Sequence, residues 1–211
     1  MARDIHATRS LARLLGAWAR ACVRHFDTFL RRVEGVSEFS MSSGCILRLA
    51  QRQSNCHIKL SDGTEVLKGE SIGELHLWNE RIPSMNAEGA DLRWALTFHR
   101  LLVRSFQELA VYVEQAPDFQ NVRAFRGEMI FAWERGLAQK KNLAAQIGLD
   151  VVPIRWPRWS WGRFAQFWQG LYWYAIIWTF QPASLRGKHL LRLQCDQVWI
   201  SREELLRRYG I

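Results

Sequence analysis

Much that usually betrays a function is scarce in this chain. Proline is limited to five residues and cysteine to four, and only five of the 29 basic residues are lysines. Few prolines and a hydrophobic content of 48% exclude a disordered or low-complexity chain. Cys22, Cys45, Cys56 and Cys195 form no CxxC pair and no dense framework. That excludes a disulfide-stapled secreted domain and predicts reduced thiols in a cytoplasmic protein. The opening residues lack the continuous apolar core of a secretory signal, because arginines interrupt them throughout. No Walker motif, GxGxxG, GxSxG or HExxH occurs, so the common routes to nucleotide binding, serine hydrolysis and zinc hydrolysis are closed. Neither a cofactor nor a metal is expected.

What is present is charge of one sign. The formal charge is +9 and the pI near 9.9, carried mostly by arginine, whose planar fork suits phosphate and carboxylate. A coding bias toward arginine would give the same composition. Basic charge with many aromatic rings also raises nucleic acid as a partner. Charge alone supports only salt-sensitive, nonspecific contact, and no reading motif accompanies it, so nucleic acid is not the expected partner.

Leu11, Leu14, Leu15, Trp18, Cys22, Phe26, Phe29 and Val33 recur at three- and four-residue steps, which predicts a helix over 11–34 with one apolar stripe. Arg13, Arg20, Arg24 and Arg31 occupy the remaining face, with Ser10 as cap and Gly35 as stop. Such a helix either docks on the domain with its arginines in water or lies on an anionic membrane, where each basic residue near the surface adds ~1 kcal/mol. Trp18 and Phe26 are its candidate membrane contacts.

From Gly44 the period changes to two. "CILRLA" and "NCHIKLSDGTEVL" alternate, Asp62-Gly63 marks a hairpin turn, and "IGELHLWNERI" reads as the third strand of an antiparallel meander. On a strand, Glu74, His76, Trp78 and Glu80 share one face while Leu75, Leu77 and Asn79 share the other. Glu74 and His76 would lie about 7 Å apart, yet two ligands without a third and fourth make no zinc site. One reading makes them cross-strand partners, with Arg48 beside them. The other gives His76 a proton to exchange, Glu80 or Glu74 to orient it, and Arg81 or Arg126 to hold an anion. Glu74, His76, Trp78, Asn79, Glu80, Arg81 and Arg126 are therefore the candidate binding residues.

Pro83 is expected to end that strand, and "EGADLRWALTFHRLLVRSFQELAVYVEQA" to form a long helix with Leu92, Leu96, Leu102, Phe106, Leu109 and Val113 inward. A strand at "NVRAFRGE", a helix at "MIFAWERGLAQKKNLAAQI" and a strand at "LDVVPIRW" then predict parallel pairing through a right-handed crossover. Arg126-Gly127, at the expected strand-to-helix turn, could offer backbone amides to an anion.

Residues 156–181 hold six of the eleven tryptophans. The nearly apolar run 164–180 would extend ~26 Å as a helix, marginal for spanning a hydrocarbon core of ~30 Å. Indole and phenol rings favour the membrane interface, where the ring is apolar and its polar atom stays wet. Trp159, Trp161, Trp168 and Trp173 are thus candidate membrane contacts. The alternative buries this segment against the sheet, or uses it for a homodimer or a partner protein.

Near the C-terminus, residues 190–200 read as one or two short strands. Ser201 and Glu204 have capping-box spacing for a last helix, with Leu205 and Leu206 inward and Arg207 and Arg208 outward. "GELHLWNERIP" before a long helix, together with the closing "VWISREELLRRYG", resembles the YkoP-like domain of uncharacterised bacterial proteins. The resemblance covers roughly residues 44–209 and leaves the basic helix as an addition. Some proteins with such a domain carry it behind a polysaccharide deacetylase domain, which implies work at the cell envelope. This chain has no deacetylase metal motif, so the resemblance implies no reaction and no catalytic residue.

The expectation is an α+β fold: an N-terminal helix and linker over 1–43, and one domain over 44–211 whose mixed sheet begins as an antiparallel meander and continues as β-α-β. Two functions remain open. One is a non-catalytic accessory or binding domain, peripheral to the inner face of a bacterial membrane through an anionic surface or lipid headgroups. The other is a small enzyme for a phosphorylated or lipid-linked substrate, with His76 and a neighbouring carboxylate as acid and base.

Overall fold

The computed structural model describes residues 2–131, 137–154, 160–185 and 194–210. Among the described residues the class is the expected α+β, with a five-stranded mixed sheet, a two-stranded antiparallel sheet and five α-helices. The first helix, α1 (Ala2–Val33), begins before Ser10, which lies inside it. It stops where expected: Gly35 takes φ 63°, and the amide of Val36 donates back to Arg31 O.

In the main sheet, β1 (Leu47–Gln53) pairs antiparallel with β4 (Ser71–Leu77). The intervening sequence closes its own hairpin, β2 (Ile58–Lys59) on β3 (Glu65–Val66), with Gly63 at φ 92° in the turn. This hairpin forms the separate small sheet, so β4 neighbours β1 directly and is not the third strand of a continuous meander. Strands of two residues offer few ladder bonds. The hairpin is held instead by a small apolar cluster of Leu60, Val66, Ile72, Ala124 and Trp199.

The parallel step comes next, between β4 and β5 (Ala124–Phe131), through a crossover that includes α2 (Leu92–Gln115). Asp91 caps α2 by accepting from the Trp94 amide at 2.7 Å. Leu102, Phe106, Leu109 and Val113 are buried as the stripe predicts, whereas Leu92 and Leu96 stand exposed. The expected β-α-β unit exists as β5, α3 (Leu137–Gln146) and β6 (Asp150–Pro153), but its strands do not pair. Strand β7 (Gln194–Ser201) enters between them, antiparallel to both, and its eight residues match β5 along their whole length. Met129 and Phe131, expected in the helix, are drawn into β5 by that ladder. Arg126 and Gly127 therefore sit mid-strand, and their amides do not form an anion-binding turn.

One sheet face packs on α2 and on α5 (Arg202–Tyr209), burying Leu49, Phe106, Leu109, Val113, Phe125, Val198, Ile200 and Leu205. Ser201 caps α5 as its spacing predicts, accepting from the Glu204 amide at 2.9 Å. Along the other face the register places Ala50, Glu74, Arg126 and Trp199 in one row, and pairs Arg48 with His76 and Glu128 with Gln197 one step further on. Helices α1 and α4 (Ser160–Phe180) lie on this polar side and join it through Gln169 to Glu128 and Arg31 to Glu80.

The orientation of α1 overturns the expectation that a docked helix buries its stripe. Asp27 is buried and Arg20 and Arg31 are half-buried, while Leu14 is 68% exposed, Trp18 70% and Phe29 60%, with Phe26 and Val33 also outward. The reason lies in α4, which offers polar and aromatic partners. Tyr172 donates to Asp27 at 3.0 Å, and the Arg20 guanidinium sits 4.9 Å from the Trp178 ring centre. Among the described residues, no helix is long and apolar enough to cross a membrane.

Candidate functional site

The parallel register sets Glu74 opposite Arg126, and the period of two puts His76 on the same face. Glu74 is the hub. One carboxylate oxygen accepts from Arg126 Nη2 and the other from Arg52 Nε at 3.2 Å. His76 Nε2 lies 3.6 Å from that second oxygen, beyond hydrogen-bond length but within ion-pair range for an imidazolium. Arg126 also donates to Asn55 Oδ1 at 3.2 Å. Burial by itself would raise the Glu74 carboxyl, but the adjacent His76 and Arg126 hold it down to about 2.

Glu128, one step along β5, behaves in the opposite way. Burial raises its carboxyl above the usual range, and Gln169 of α4 donates to it at 3.2 Å. Two carboxylates on one face thus have divergent proton affinities, with a histidine near both. Arg126 Nε and His76 Nε2 are enclosed and have no hydrogen-bond partner among the described residues.

The other predicted residues are drawn elsewhere. Strand β4 ends at Leu77, so the alternation does not continue through Trp78, and Asn79–Arg81 form a 3-10 turn in which Asn79 is half-buried. Trp78 is buried, with the guanidinium of Arg81 3.2 Å and that of Arg48 4.0 Å from its ring centre. Arg81 donates to the carbonyls of Ser42 and Cys45 at 2.6 and 3.2 Å, which commits it to the fold rather than to an anion. Glu80 accepts from Arg31 at 3.1 Å and from Arg48 at 3.4 Å. Arg48 faces His76 across the strands, yet its charge goes to Glu80 and Glu38, not to Glu74.

Arg52, Asn55, Glu128 and Gln169 were not among the predicted site residues. Counting by twos from Arg48 along β1 and from Arg126 along β5 reaches Arg52 and Glu128, so parity held the signal for those two. Nothing local marks Asn55 or Gln169. Their roles depend on where the hairpin and α4 come to rest.

Of the predicted membrane contacts, Trp18 and Phe26 stand on the outward stripe of α1. Trp168 is exposed on α4 beside Phe164, Phe167 and Leu171. Phe26 reaches the Tyr172 ring at 6.4 Å, edge on, so the two exposed surfaces adjoin. Trp173 is half-buried, its indole N–H enclosed and without a hydrogen-bond partner among the described residues. Trp159 lies outside the described residues, and Trp161 is placed on α4 by its backbone.

A cavity of about 190 Å³ lies apart from this cluster, lined by Asp62, Asp150, Ser201, Glu204 and Arg208 among others. Its carboxylates are engaged: Asp150 accepts from Ser61, Asp62 from the Thr64 amide, and Glu204 from Arg207 and Arg208. Among the described residues, no three His, Cys, Asp or Glu side chains group as metal ligands would.

No curated protein and no solved structure matches the chain. A family model described as the YkoP domain matches residues 17–209. That match begins inside α1, so it takes in about half of the helix that the sequence resemblance leaves outside, and it runs through the polar sheet face to the end of α5. By this match over most of its length, the chain belongs to the YkoP domain family.

Proposed function

We propose that this protein is a non-catalytic accessory domain that seats on an anionic membrane face through the outward stripe of α1. One observation carries the reading: Leu14, Leu15, Trp18, Phe26, Phe29 and Val33 are at least half exposed on a helix whose polar side already has partners. Surface helices of globular domains place these faces the other way. Arg24 and Arg32 are also exposed and would flank the stripe at headgroup level, each cation adding ~1 kcal/mol on an anionic leaflet. The adjoining Phe164, Phe167 and Trp168 of α4 supply a second contact, and two weak anchors bind far more firmly than one. A cytoplasmic, envelope-related role accords with such a seat.

The spacing of the stripe favours lipid over a helical partner. Positions 15, 18, 22, 26, 29 and 33 average the 3.6 residues per turn of a straight helix, which presents a flat apolar face. A heptad seam starting from Leu15 and Trp18 would instead bring His25 and Arg32 to its core. Acid–base chemistry at His76 is the second reading, supported by its convergence with Glu74 and Arg126. It requires a substrate to reach an enclosed Nε2, and Glu74 is already committed to two arginines.

Co-sedimentation with vesicles tests the seat. The protein should pellet with phosphatidylglycerol-containing vesicles at low salt and less with pure phosphatidylcholine, and a Trp18→Ser, Phe29→Ser double variant should remain in the supernatant. Equal pelleting of the variant, or a stripe-dependent dimer without lipid binding, would overturn it.

A further inference from the structure

Resting on that reading, we infer that α1 and α4 form a displaceable cover, and that lipid binding lifts it to open the Glu74–His76–Arg126 face. The first ground is what holds the cover down. The two hydrophobic clusters of the described residues draw on α2, α5, the sheet and the β2–β3 hairpin, and no residue of α1 or α4 belongs to either. Ile176 of α4 is buried, but the other fastenings of the cover are polar and ring contacts: Tyr172 to Asp27, Arg31 to Glu80, Gln169 to Glu128, and Arg20 over Trp178. Segments with few buried apolar contacts open at low free energy.

The second ground is where unpaired groups collect. Among the described residues, Arg20 Nε, Trp173 Nε1, Thr179 Oγ1, His76 Nε2 and Arg126 Nε are enclosed without a hydrogen-bond partner, His76 Nε2 having only the Glu74 carboxylate at 3.6 Å. The first three belong to the cover and the last two to the sheet face on its side. Arg126 is nine-tenths buried. A polar group buried without any partner is disfavoured by ~1–3 kcal/mol, and water reaching the opened layer would supply partners to these atoms.

Lipid can shift this equilibrium only by binding the open form better. It does so because the closed form offers the outer stripe, whereas the open form adds the inner side of α4, with Tyr172, Trp173 and Ile176. Both helices stay tethered when they lift. Ser37 bonds to Leu49 just beyond the Gly35 turn, and Gln181 holds the end of α4 to Met85, Ile82 and Pro83.

Carbethoxylation of histidines by diethylpyrocarbonate, read by mass spectrometry on the full chain, distinguishes the steps. His25 stands exposed on α1 and reports seating; the His76 side chain is 28% exposed with Nε2 enclosed, so the rise in its labelling above the closed-state level reports opening. With phosphatidylglycerol vesicles, His25 labelling should fall and His76 labelling should rise severalfold, while His99 on α2 stays constant. In buffer alone, Tyr172→Phe should raise His76 labelling by loosening the fastening. If His25 becomes protected while His76 does not change, the cover is rigid and the inference fails although the membrane seat stands. If neither changes, the seat fails and the lipid-driven opening fails with it.

Discussion

The phenol of Tyr172 donates to Asp27 Oδ1 across 3.0 Å, joining α4 to α1 over 145 positions of sequence. Burial pushes both groups up, the Asp27 carboxyl and the Tyr172 hydroxyl alike, and the Arg31 guanidinium at 3.1 Å opposes that rise at Asp27.

Replacing Tyr172 by Phe removes one hydrogen bond and little volume. The expected cost is about 1 kcal/mol, confined to the α1–α4 layer. Hydrogen exchange should quicken in α1 around Asp27 and stay unchanged in α2 and β7. Uniform quickening across all elements would mean that the layer is not a separate unit.

Glu74→Ala leaves Arg126 buried without its carboxylate, and loss of one partner from a buried pair costs about 3 kcal/mol. The pH dependence carries a sign. Because the folded carboxyl is held near 2, below its unfolded value near 4.5, its stabilisation is present above about pH 4.5 and disappears as pH falls toward 2. Urea unfolding at neutral pH and at about pH 3 should therefore show a gap between the two proteins that narrows in acid. A gap that ignores pH would refute the ion-pair account.

Gly73 lies opposite Phe125 in the parallel pairing. A Cβ there would collide with the Phe125 ring and approach Leu49 Cδ1 at 3.2 Å. Gly73→Ala should cost about 1–3 kcal/mol by overpacking, measured as a lower midpoint in urea. The pair Gly73→Ala with Phe125→Leu should recover part of it, and full additivity of the two losses would speak against the contact.

Ser201→Ala deletes the cap of α5 and should cost about 1 kcal/mol, or a few degrees in Tm for a chain of this size. The matching Ser61→Ala, at an exposed site, should cost less. A loss at Ser201 no larger than that at Ser61 would mean that the cap on the Glu204 amide contributes no more than an exposed surface hydrogen bond.

Local signals were legible wherever the physics is local. The Gly35 stop of α1, the turn at Gly63, the Ser201 cap and the inward residues of α2 from Leu102 on all followed from positive φ, capping chemistry and helical period. At the site, parity was enough to put Glu74 and His76 on one face. It could not show that β4 stops at Leu77, which sends Trp78, Glu80 and Arg81 into a structural clamp. Nor could it name Arg126 as Glu74's neighbour, since that requires knowing that the two strands run parallel and in which register.

By itself the sequence determined the element types, the amphipathic stripe of α1, the basic charge and the aromatic loading of α4, because propensity, period and composition are properties of short stretches. Tertiary structure alone decided that β7 would part β5 from β6, and that α1 would turn Arg20, Asp27 and Arg31 inward and leave Leu14, Leu15, Trp18, Phe26, Phe29 and Val33 outside. A helix stripe states only that two faces differ. Which face goes inward depends on what the rest of the chain presents to it, and here α4 presents a phenol and aromatic rings suited to charge.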